Sequence, residues 1–125
     1  MRRAAPIALL LLAAACGSIT GGLVFYQKYE CDTLYFGTAK PDHSVITPAE
    51  FQKFLDDEVT PRFDGFTHWE AHGSWKGERE ESHVLQIVHG SGHEAAIEAI
   101  IEAYKKRFAQ ESVLRLRGRA GVAFQ

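Results

Sequence analysis

The chain has 125 residues, 46 % of them hydrophobic and 24 % charged, with a formal net charge of −2. That length holds one small domain, and that apolar content excludes a disordered chain. Fourteen basic residues face sixteen acidic ones, so nothing in the charge asks for nucleic acid as a partner.

The first element is MRRAAPIALLLLAAAC. Arg2 and Arg3 precede an uncharged run from Pro6 to Ala15, and small alanines lead into Cys16. This is the layout of a bacterial export signal ending at a lipidated cysteine, cut between Ala15 and Cys16. Residues 1–16 are then a signal peptide, 17–30 a tether and 31–125 the folded domain. The protein is expected at the bacterial cell envelope, held to a membrane by lipid on Cys16. Gly17 stands where Gram-negative lipoproteins kept at the inner membrane carry aspartate, which favours the outer membrane, facing the periplasm. Two other layouts share these residues. Ala13-Ala14-Ala15 also reads as a site for free secretion to the periplasm. The uncharged run continues to Tyr26, long enough for an uncleaved inner-membrane anchor. With Cys16 lipidated, Cys31 stands alone, and a buried thiol is expected, with an intermolecular disulfide as the other reading.

Asp32 to Thr38 alternates and is rich in aromatic residues, which predicts a strand. Lys40 to His43 is a turn. Thr47 then predicts a helix N-cap, with Pro48 at the first helical position and Glu50 closing a capping box. Phe51, Phe54, Leu55 and Val59 mark the buried face of this helix, and Pro61 follows its end. Phe66 to Trp75 predicts a second strand, with Thr67, Trp69 and Ala71 on one face and His68, Glu70 and His72 on the other. After a turn at Lys76-Gly77-Glu78, Ser82 to His89 is apolar on both faces and reads as a central strand. Ser91 is expected to cap a second helix, with Glu94 as its capping-box partner. Ile97, Ile100, Ile101, Tyr104 and Phe108 form its apolar stripe, and Glu102 and Lys106 an ion pair on its wet side. Ser112 to Phe124 is the last strand, broken near Gly118.

Strand, helix, strand, strand, helix, strand with right-handed crossovers is a ferredoxin-like α+β sandwich, βαββαβ. Two helices cover one face of a four-stranded antiparallel sheet. The first and third strands are central, and the second and fourth are edges.

Three groups of residues can carry chemistry. His68, Glu70 and His72 share one face of a strand, neighbours about 7 Å apart, so they can hold zinc or copper with a third histidine, His43 or His89. The competing reading is a solvated face on an edge strand. Arg115 and Arg117 alternate on the last strand with Arg119 and offer an anion or partner surface, against the plainer reading of an exposed edge. His89-Gly90-Ser91-Gly92 leads into a helix, where free backbone N–H groups favour anions, yet it lacks the lysine of a P-loop. His93-Glu94 opens like a zinc-protease helix, but Ile97 stands where the second histidine is required.

The segments Leu34-Tyr35-Phe36-Gly37, TPAEFQKFLDDEVTPRF from Thr47 to Phe63, Gly73-Ser74-Trp75 and YKKRFAQESVLR from Tyr104 to Arg115 carry a resemblance. They resemble an uncharacterised family of bacterial envelope lipoproteins catalogued as domain of unknown function 3574, across nearly all of Cys31 to Phe124. The resemblance implies an export or lipoprotein signal and no particular activity, so it brings no catalytic residues. The family commonly has a cysteine in its final strand, where this chain has Ala120-Gly121-Val122.

The expectation is therefore a membrane-anchored envelope lipoprotein that works by binding or association, without catalysis and without a cofactor. Its partners would be the membrane, an envelope protein, and a second copy docked on the open sheet face. The alternative is a metal- or small-ligand-binding module, or a small enzyme on a dimeric ferredoxin-like barrel, built on His68, Glu70 and His72.

Overall fold

A computed structural model describes residues 23–125. The expected signal sequence, Cys16 and residues 17–22 of the expected tether lie outside the described residues. Four strands and two helices follow in order: β1 (Gln27–Gly37), α1 (Pro48–Phe54), β2 (Thr67–Trp75), β3 (Glu78–His89), α2 (Glu94–Phe108) and β4 (Leu114–Val122). The sheet order is β2-β3-β1-β4 and every neighbouring pair is antiparallel. This is the ferredoxin-like α+β arrangement, with β1 and β3 central and β2 and β4 at the edges.

The Thr47 cap forms as the sequence predicts. Its hydroxyl accepts from the Glu50 N–H at 3.1 Å, and the Glu50 carboxylate accepts from the Thr47 N–H at 2.8 Å. The helix then widens into a π turn over Leu55–Val59, where the Thr60 N–H donates to the Leu55 carbonyl at 2.9 Å. Both Leu55 and Val59 remain buried there, beside Phe51 and Phe54 of α1. The α2 stripe is buried at all five expected positions, Ile97, Ile100, Ile101, Tyr104 and Phe108. These two apolar faces pack on Leu34 and Phe36 of β1 and on Leu85 and Ile87 of β3. The aromatic centre is dense, with Phe36 and Tyr104 ring centroids 4.4 Å apart. Burial pushes the Tyr104 phenol up, and its hydroxyl donates to the Gly37 carbonyl at 2.7 Å, tying α2 to the end of β1.

Several boundaries move. The first strand begins at Gln27, not Asp32, because β4 is long enough to pair with it from Gln27↔Val122 onward. The expected tether is shortened by that much. β3 begins at Glu78, since Lys76 and Gly77 both adopt positive φ (50° and 81°) and close a two-residue hairpin between Trp75 and Glu78. β4 runs unbroken through Gly118. Ser91 does not cap α2. Gly92 turns the chain at φ 88°, so the helix opens only at Glu94, after His93, and no side chain caps it. Glu102 pairs with Lys105 at 3.0 Å rather than Lys106.

Alternation divides the sheet cleanly. Asp32, Leu34, His83, Leu85, His68, Glu70, Arg115 and Arg117 lie on the helix side. Cys31, Thr33, Tyr35, Val84, Val88, Trp69, Leu114 and Leu116 lie on the other, which no element among the described residues covers. Among the described residues no helix is long and apolar enough to cross a membrane.

Candidate functional site

Near the hairpin end of the sheet, two imidazoles meet. His68 and His83 are diagonal neighbours across β2 and β3, and His68 Nε2 lies 3.2 Å from His83 Nδ1. His83 is 3 % exposed and stacks on Phe51 with ring centroids 4.1 Å apart and planes 7° apart. His83 also hydrogen-bonds the Ile46 backbone. Burial lowers both histidines below the ordinary imidazole value, and the nearby Glu70 charge opposes it only in part. Neutral rings suit the contact: one N–H donates to the other ring's bare nitrogen. A cavity of about 220 Å³ opens beside them, lined by Thr38, Ile46, Thr47, Glu70, His72 and His83.

The expected metal set does not converge. His68, Glu70 and His72 share a face, but His68 turns to His83, and His72 Nδ1 lies 3.5 Å from Glu81 Oε1 with both side chains exposed. His89, named as a third ligand, is held by Asp32 at the other end of the sheet. Among the described residues no group of three or more His, Cys, Asp and Glu side chains is placed to hold a metal ion.

That other end carries a charge network. The Asp32 carboxylate is fully buried, accepting from Arg115 Nε on one oxygen and from His89 Nε2 on the other, each at 2.7 Å. Burial alone would raise the Asp32 carboxyl, but hydrogen bonds from Arg115 and His89 outweigh it and hold it below the ordinary range. Arg115 also reaches Glu94 at 2.7 Å and Glu98 at 2.9 Å, and Arg117 bonds Glu94. Hydrogen bonds from the two arginines hold Glu94 down at about 2. Arg115 and Arg117 are therefore not a free basic stripe. Their strand register turns them toward α2, where three carboxylates, Asp32, Glu94 and Glu98, neutralise them. His89 Nδ1 lies 2.7 Å from the Gly90 carbonyl, so both ring nitrogens face oxygen acceptors. Ser91 lines the adjoining cavity of about 170 Å³ with Glu30, His93 and Arg117.

The third feature is the uncovered face. Trp69, Val88, Leu114 and Leu116 are 39, 42, 58 and 50 % exposed there. By strand alternation, its charged side chains are Glu78 and Glu80, both beside the hairpin. Cys31 lies on this face as a free, half-buried thiol, between Val88 and Gly118 on the neighbouring strands. It is less buried than expected because Gly118 offers no side chain and no helix covers that side.

A family described as "Protein of unknown function (DUF3574)" matches residues 31–124, which span most of β1 and every later element. The chain belongs to this family. No curated protein matches the DUF3574 chain. Among solved structures, a phage SAM lyase in complex with S-methyl-5'-thioadenosine is similar at a TM-score of 0.58, with 14 % identity over 78 % of this chain and 85 % of that one. The phage SAM lyase in its apo state is similar at a TM-score of 0.50, again with 14 % identity, over 78 % of this chain and 86 % of that one. At this identity the likeness is one of fold.

Two participants in the DUF3574 domain escaped the sequence pattern. His83 reads as an ordinary strand residue until β2 and β3 are in register. Asp32 looks like a strand's first polar residue, yet it is the buried centre of the charge network. A signal existed for Asp32: it sits in phase with Leu34 and Phe36, on the face that must be inside.

Proposed function

We propose that this DUF3574 protein is a membrane-anchored bacterial envelope lipoprotein whose domain is an association module, acting without catalysis through its open sheet face. The supporting observation is the uncovered apolar surface of Trp69, Val88, Leu114 and Leu116. The occupant that fits best is a second copy of the chain. Four strands spaced about 4.8 Å and about nine residues long cover about 600 Å². Two such faces bury about 1,200 Å² in all, the lower end of a standard interface. The centre of the face is uncharged, so self-pairing meets no like-charge repulsion. Native mass spectrometry of the full chain in detergent tests both parts. The expected spectrum shows a dimer and acyl mass on Cys16, and Leu116→Glu returns the protein to monomer. A wild-type monomer at tens of micromolar would defeat the association reading (roughly the range where weak interfaces still populate dimer). An unmodified Cys16 would defeat the lipid anchor.

A second reading has its own observation: the cavity lined by His83, Glu70 and Thr47, with His68 bonded to His83 behind it. It makes the domain a small-ligand module or a small enzyme. S-methyl-5'-thioadenosine is the first probe, since a structure of similar fold is described with it. Calorimetry should give heat with the wild type and none with His83→Ala. No heat with the wild type removes this ligand.

A further inference from the structure

One corner of the sheet carries an apolar cluster that the core does not use. β1 begins where β4 ends, paired at Gln27↔Val122, so the segments before and after leave from the same corner. Leu23, Phe25, Tyr26 and Phe124 stand there 69, 77, 64 and 96 % exposed. Tyr26 lies over Gly121, 3.4 Å from where a side-chain carbon on that glycine would be, which ties the first segment to β4. The two segments, residues 23–28 and 118–125, contain no acidic residue, and they carry Lys28 and Arg119. Arg119 is 83 % exposed at its side chain, with its Nε 3.8 Å from a Glu30 carboxylate oxygen, a long surface contact that leaves the guanidinium open to solvent. The sequence is uncharged from Ala4 up to Lys28, so this corner continues directly from the apolar N-terminal run.

We propose that this corner is the membrane-facing seat of the domain. Phe25, Tyr26 and Phe124 enter the headgroup region of a lipid surface, and Lys28 and Arg119 meet anionic headgroups. The chemistry is that of an interfacial aromatic belt with flanking cations. It rests on the reading of residues 1–16 as a membrane address. If Cys16 is the anchor, six residues lie between it and Leu23, a reach of at most about 25 Å, so the corner lies within touch of the bilayer. The seat sets the orientation of the whole domain. The cavity of Glu30, Ser91, His93 and Arg117 lies at the membrane end, and the Trp75–Glu78 hairpin with the His68–His83 pair points away. The open sheet face stands upright and free for a second copy.

The full chain reconstituted into phosphatidylcholine–phosphatidylglycerol vesicles, with or without brominated acyl chains, tests this. Two single-tryptophan chains are compared: Trp69→Phe/Trp75→Phe/Phe124→Trp, which reports from the corner, and Trp69→Phe, which keeps Trp75 at the hairpin. Phe124 lies beyond β4 and is exposed, so its replacement leaves the fold intact. The corner tryptophan is expected to lose most of its emission in brominated vesicles, while Trp75 keeps its own. A chain that sediments with the vesicles yet shows no quenching at position 124 overturns the seat and leaves the anchor standing. Equal quenching at both positions overturns the orientation. A corner tryptophan that is blue-shifted but unquenched shows residues 1–22 covering the cluster instead, which also overturns it. A chain that does not sediment overturns the anchor reading, and the seat with it.

Discussion

The His68–His83 contact makes the fold sensitive to mild acid. Both imidazoles lie below their ordinary value of 6.5 in the fold because burial disfavours the charged ring. The unfolded chain therefore binds more protons than the folded one in this window. The contribution is complete above about pH 6.5 and is lost as pH falls through that value toward the lowered folded values. Asp32 and Glu94 are depressed carboxylates, so their contributions fade only at lower pH, Glu94's between 4.5 and about 2. Urea unfolding between pH 7.5 and 5 should show a falling midpoint in the wild type. His68→Gln with His83→Gln should flatten that slope even if the variant is less stable throughout. An unchanged slope would assign the acid sensitivity elsewhere.

At the scale of elements, capping explains where α1 and α2 differ. α1 begins on a complete capping box, and its first residue is proline, so its start is set locally. α2 has no side-chain cap, and its start is set by Gly92 and by the pull of Arg115 and Arg117 on Glu94. The far end of α2 stops on Ala109 at φ 52°, a left-handed conformation that an alanine side chain resists. Its N–H still closes on the Lys105 carbonyl, and the Gln110 N–H does so at 3.0 Å. Ala109→Gly keeps both bonds and removes the clash, so it should stabilise the domain by about 1 kcal/mol. In thermal unfolding that is a rise of roughly 4–8 °C. No rise would mean that the glycine's added freedom in the unfolded chain offsets the relief.

For the whole molecule, the division into a packed face and a bare face is the decisive property. The helices bury the aromatic centre on one side, and the other side is left with apolar residues at a density that monomeric surfaces rarely show as one patch. Cys31 lies within that patch and reports its state without any added label. If two copies meet there, alkylation of Cys31 by a maleimide should be slow in the wild type and faster by at least about tenfold in Leu116→Glu, the scale of about 1.4 kcal/mol of protection. Equal rates would place the partner of this face elsewhere or show the face open.

How much the sequence determined follows from the range of each force. The Thr47 box, the five-residue stripe of α2, the identity of the central strands and the βαββαβ order all rest on contacts within a few residues or on strict periodicity. Those patterns survive in one dimension, and the match over residues 31–124 agrees with them. Register and reach do not survive. A strand's length depends on its partner, which is why β1 gained Gln27 to Cys31 only once β4 lay beside it. Histidines on β2 met a histidine fifteen residues away on β3, not the ligands their own spacing suggested. Arginines expected at an exposed edge were drawn under a helix by the buried carboxylate of Asp32, 83 residues from Arg115. Long-range charge pairing of this kind leaves a local mark only on Asp32, in phase with Leu34 and Phe36, because each arginine alone looks like an ordinary surface residue. Tertiary structure was needed to show which of them are inside.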